Sequence, residues 1–142
     1  MTALASSSPS LFGTGWVARR VDGETMRTVD GVVDSLAAAW SFPAHFGRNR
    51  DALDDCMRDL PADLPTAEGG PSTGVLTIVE NAGTLLADDP EQLAWFAESV
   101  DFWGEHYRDR RFAVLLIDDD PAAVRARWTA AGARLTDPTE EI

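Results

Sequence analysis

The sequence predicts an α/β domain: a small three-stranded parallel sheet flanked by helices, with an extra helix after the last strand. Three observations carry this. Residues 75–79 (Val-Leu-Thr-Ile-Val) and 112–117 (Phe-Ala-Val-Leu-Leu-Ile) are continuous apolar runs, the pattern of strands covered on both faces. A helix-period segment lies between them, and a strand–helix–strand unit closes as a right-handed parallel crossover. Strand and helix patterns alternate along the rest of the chain. At 142 residues and 44% hydrophobic content, the chain can build one real core.

The elements follow in order. Residues 16–21 form a first strand, closed by the turn pair Asp22-Gly23. A helix over about 29–40 places Val29, Val33, Leu36, Ala37 and Trp40 on one face, and Pro43 ends it. A second helix covers about 49–60 and stops at Pro61. Residues 61–74, rich in Pro and Gly, make a loop before the strand at 75–79. Asp89 before Pro90 marks the next helix start; that helix buries Leu93, Phe96, Ala97, Val100, Trp103 and Tyr107, with Gly104 as its weak point. Trp95 and Phe102 fall off its main stripe and are expected to cover a second surface or a dimer contact. After the strand at 112–117, a last helix runs from Pro121 to just before Gly132. Residues 1–14 are expected to be a disordered Ser-rich tail, 15–132 the domain, and 133–142 a polar, acidic tail.

Charge narrows the function. Twelve basic against 24 acidic residues leave a net charge of −12. That disfavours direct contact with nucleic-acid phosphates or an anionic membrane and favours a basic protein partner. Every basic residue is arginine, so Schiff-base chemistry and a P-loop lysine are excluded. The single cysteine, Cys56, forms no internal disulfide and fits a reducing cytoplasm. The N-terminus lacks the basic and apolar regions of a secretory signal.

The informative stretch is 42–60. On a helix, Leu53, Cys56, Met57 and Leu60 make the buried face, and the other side shows Asp51, Asp54 and Asp55, with Arg58 and Asp59 beyond. Asp51/Asp55 and Asp55/Asp59 are like-charge i,i+4 pairs, each costing roughly 0.2–0.5 kcal/mol. Pairing of Asp54 with Arg58 offsets part of this. The helix thus carries more negative charge on one face than its own stability calls for. A solvated acidic face is the plain explanation; a binding face for a cationic site is the other. The tight loop of Phe42, Pro43, His45, Phe46, Gly47 and Asn49 directly before it strengthens the second, because such loops hold functional side chains on a scaffold.

Phe42-Pro43-Ala44-His45-Phe46-Gly47-Arg48-Asn49-Arg50-Asp51-Ala52-Leu53-Asp54-Asp55-Cys56-Met57 resembles the signature of the barstar family, intracellular inhibitors of secreted guanyl-specific ribonucleases. The signature runs without a gap, and the resemblance extends over about 16–117. It implies a non-catalytic, barstar-like protein without cofactor or metal, whose partner is a basic secreted ribonuclease or related toxin nuclease. The loop and acidic helix would be the inhibitory surface. Asp55 would replace a substrate phosphate among the enzyme's cations, and Asp51 would bind cations and backbone donors nearby. His45 would stack on a catalytic histidine. Gly47 and Asn49 would shape the loop and hydrogen-bond across the interface. Glu98 is the local match for a further family carboxylate on the helix before the last strand. Two departures fall on the partner-facing surface: Arg50 replaces a commonly apolar residue, and Asp54 stands where a large aromatic can occur. The chain also continues through 118–142, which compact members lack. These departures leave room for a different basic toxin, or for a relative that has lost inhibition.

One competing chemistry comes from Asp118-Asp119-Asp120 at the C-terminal end of a buried strand, which with Asp88-Asp89 could bind Mg²⁺ for phosphoryl transfer. The competing explanation is helix capping before Pro90 and Pro121. Cys56 is assigned to the core and not to a nucleophile, since it shares the apolar face. His106 is assigned to the surface, with no ligand spacing to His45.

Overall fold

The computed structural model describes residues 2–5, 15–43, 46–61, 66 and 72–136. In chain order the elements are β1 (Thr2–Ala5), β2 (Trp16–Asp22), α1 (Val29–Ala39), α2 (Arg50–Met57), β3 (Gly74–Glu80), α3 (Leu93–Glu105), β4 (Arg111–Ile117) and α4 (Pro121–Ala130). All strand pairs are parallel, in the order β1-β4-β3-β2. The two continuous apolar runs are the central strands β3 and β4, whose residues 74–79 and 112–116 are all buried. Edge strand β2 alternates instead, burying Val17 and Val21 and exposing Ala18 and Arg20.

The sheet has four strands and not three. The added one is β1, from the segment expected to be a disordered tail. It pairs with β4 in the register Thr2↔Val114 to Ala5↔Ile117, burying Ala3 and Leu4. The expected acidic tail also begins later: Ala133 and Leu135 pack on the core, and Thr136 bridges back to Ala3. Neither feature follows from local pattern; a four-residue strand is defined by the β4 edge it covers.

One face of the sheet carries the main core. Val17, Val21, Val75, Val79, Val114 and Leu116 pack there with Leu36, Leu53, Met57, Phe96, Trp103 and Trp128 from the helices. Ala3, Leu76, Ile78, Ala113 and Leu115 form a smaller buried cluster on the opposite face. Helix ends follow side-chain capping: Thr28 accepts from the Gly31 amide, Asn49 from Ala52 and Asp120 from Ala123. Asp89 is a correction. It makes no cap for the Pro90–Gln92 turn before α3 but accepts from the Val29 amide, tying in the start of α1.

Candidate functional site

The surface that combines charge, loop and aromatics is built from the end of α1, the described residues 41–43 and 46–49, α2 and one side of α3. Trp40 closes α1 and donates its buried indole Nε1–H to Thr77 Oγ1 at 3.0 Å, fixing the loop's first anchor to β3. Ser41 then turns at φ +52°, the Phe42 amide donates back to the Ala37 carbonyl, and Phe42 packs edge-on against Phe46. At the far end Arg48, at φ +53°, makes a bidentate ion pair with Asp34 of α1. The loop is therefore tied to α1 at both ends. Asn49 serves as the α2 cap, and Gly47 is exposed beside it. His45 lies outside the described residues.

On α2, Leu53 and Met57 are buried while Asp51 and Asp55 are exposed, as is Asp59 in the turn after the helix. The helix ends at Met57, short of the expected 60. Its last turn is closed from outside: the Tyr107 hydroxyl donates to the Met57 carbonyl at 2.6 Å and accepts from the Leu60 amide at 3.0 Å. Burial is the main cause that pushes the Tyr107 hydroxyl above its ordinary pKa.

Three expectations change. Asp54 is half-buried and not on the open face, because its carboxylate accepts the Trp103 indole N–H at 2.7 Å. Arg58 pairs with Asp55 (2.7 Å) and not with the Asp54 side chain, taking only the Asp54 carbonyl through Nε. Cys56 is half-buried and not in the core; burial first, then the charges of Asp55 and Asp59, push its thiol pKa up, so it is a poor nucleophile.

Trp95 and Phe102 have a specific use. The Arg50 guanidinium lies 4.4 Å over the Trp95 ring and donates to Gln92; that of Arg58 lies 5.2 Å from the Phe102 ring. Arg58 also sits 3.3 Å from His106 Nε2, while His106 Nδ1 lies 3.0 Å from the Phe102 carbonyl. A carbonyl only accepts, so Nδ1 carries the proton and Nε2 is bare toward Arg58. Arg50 of α2 and Arg58 at its C-cap thus both rest against aromatic residues of α3. Glu98 is exposed on α3, three residues after Trp95 and four before Phe102, hence on the side of α3 that meets α2. Sequence reasoning missed Arg58, Phe102 and Tyr107 as parts of this seam; the signal was the two aromatics lying off the apolar stripe.

Asp88, Asp118 and Asp120 are used locally. Asp118 accepts from the Gly83 and Asp120 amides, Asp120 caps α4, and Asp88 holds Arg27 in a two-bond ion pair. Among the described residues no three His, Cys, Asp or Glu side chains converge to hold a metal. No helix of the described residues is long and apolar enough to cross a membrane.

A family model described as Barstar (barnase inhibitor) matches residues 16–118, from β2 to the residue after β4, leaving β1 and α4 outside. No curated protein matches the chain.

Proposed function

The chain belongs to the barstar family, and from that premise we propose that it inhibits a basic ribonuclease by filling the enzyme's active-site cleft with α2 and the loop before it. One observation carries the reading: Asp51 and Asp55 on a short helix, and Asp59 in the turn that follows it, are exposed together on a segment anchored by Leu53, Met57, Trp103 and Tyr107. A carboxylate held there without further ordering can occupy a phosphate site among the enzyme's cations, where charge-assisted hydrogen bonds are strongest. Asp55 is the residue for that site. Asp51 flanks it, Asn49 and Gly47 shape the approach, His45 contributes a ring contact, and Glu98 adds a carboxylate from α3. The protein does no chemistry of its own and acts in the cytoplasm, where its free cysteine is compatible with a reducing medium.

Arg50 and Arg58 lie on the same surface, and Asp54 is committed to Trp103. This favours a toxin nuclease whose cleft accepts cations at the margin of the carboxylate group. The test is a pull-down with the full chain from lysate and secreted fractions, followed by an RNA-cleavage assay on the bound protein. A basic ribonuclease blocked at one-to-one stoichiometry supports the reading; recovery of no nuclease, or cleavage unchanged by the inhibitor, overturns it.

A further inference from the structure

Between α2 and the chain leaving α1 lies a pocket of about 240 Å³. Trp40, Phe42, Pro43 and Leu60 supply apolar surface, and Cys56 contributes its half-buried thiol. Among the described residues, the acidic ones lining it are Asp55, near the end of α2, and Asp59, in the turn after it, both exposed. Asp55 is engaged by Arg58 through Oδ1, whereas the Asp59 carboxylate makes no hydrogen bond or ion pair among the described residues, its amide alone donating to the Cys56 carbonyl.

We propose that this pocket is a receptor for one basic side chain of the partner, with the aliphatic stem against Trp40, Phe42 and Pro43 and the charged head at Asp55 and Asp59. The proposal rests on the inhibitor reading and adds to it the apolar surface and the second carboxylate, Asp59, that would seat one of the cations meeting Asp55. The chemistry of the lining selects the occupant. An apolar side chain would fill the volume but strip water from two carboxylates without replacing it, which is costly. An anion would be repelled. Arginine and lysine alone combine an apolar stem with a cationic tip that stays at the mouth, and a cation there also relieves the Asp55–Asp59 repulsion.

Cys56 is the chain's only cysteine, so it reports on the pocket without any nuclease present. The experiment follows iodoacetamide alkylation of Cys56 in the free full-length protein at fixed pH and ionic strength. The added probes are butylguanidinium, methylguanidinium (the same head without the stem) and valerate (a four-carbon stem with an anionic head). Butylguanidinium is expected to slow alkylation saturably in the millimolar range, and the other two are not. Asp59→Asn, a change at an exposed position, should weaken that protection by up to about fivefold, the scale of one surface ion pair. Equal protection by butylguanidinium and methylguanidinium, or protection unchanged in Asp59→Asn, would overturn the proposal. The cleavage assay is independent of either result, so the two readings fail separately.

Discussion

The Trp103 indole donates to the Asp54 carboxylate at 2.7 Å, joining α3 to α2 beneath the acidic face. Trp103 is fully buried and Asp54 half-buried, so this acidic residue belongs to the fold more than to the surface. Asp54→Ala leaves a buried N–H without an acceptor and should cost about 1–3 kcal/mol of unfolding free energy in urea denaturation. Asp51→Ala, at an exposed position in the first turn, should stay within about 0.5 kcal/mol of wild type. Equal stability of the two variants would show that the Trp103 contact contributes nothing.

Tyr107 gives the protein an alkaline limit. Its hydroxyl bridges the Met57 carbonyl and the Leu60 amide, and burial, the largest cause, raises its pKa. A raised folded pKa means that its contribution is complete below the unfolded value of about 10 and is lost as pH rises through the higher folded value. Unfolding free energy should therefore fall more steeply above about pH 10 in wild type than in Tyr107→Phe, which cannot ionise there. Parallel slopes in urea titrations across that range would contradict this.

Arg127 of α4 is a liability. Both terminal guanidinium nitrogens are buried without a hydrogen-bond partner among the described residues, and burial lowers its pKa. Arg127→Met keeps the stem and removes the unpaired charge, which should raise stability by about 1–3 kcal/mol. A lower melting temperature for this variant would mean that the arginine has a favourable role that the geometry does not show.

Charge should govern the encounter with the nuclease. A chain of net charge −12 meeting a basic enzyme should associate at least about tenfold faster at low salt than the ~10⁵–10⁶ M⁻¹s⁻¹ of neutral pairs. Stopped-flow rates should fall steeply with added salt while dissociation changes little. An association rate independent of salt would exclude steering by the acidic face.

What was legible in the sequence followed from local rules. The apolar runs at 75–79 and 112–117 marked β3 and β4, Asp120-Pro121 marked α4, and Leu53 and Met57 marked the inner face of α2. What was not legible depended on partners distant in sequence. Thr2-Ala-Leu-Ala has no strand signature and becomes β1 through pairing with β4 112 residues away. A helical wheel of α2 cannot show that Trp103 draws Asp54 inward, nor that Phe102 and His106 hold Arg58 against Asp55. The side of α2 that carries charge was readable; which of its carboxylates stay exposed depends on α3.

Asp55→Ala is the most direct test of the inhibitory surface. Its side chain is 73% exposed in the free protein, whereas Leu53 and Met57 are the buried residues of α2. Binding to the isolated nuclease, measured by calorimetry alongside urea unfolding of the same variant, should weaken by roughly 2–5 kcal/mol or more, because the enzyme's cations are left buried and unpaired. Unfolding free energy should be unchanged to within about 0.5 kcal/mol, since only an exposed ion pair with Arg58 is lost. Wild-type affinity for Asp55→Ala, or loss of affinity that merely tracks loss of folding, would contradict the assignment of this face.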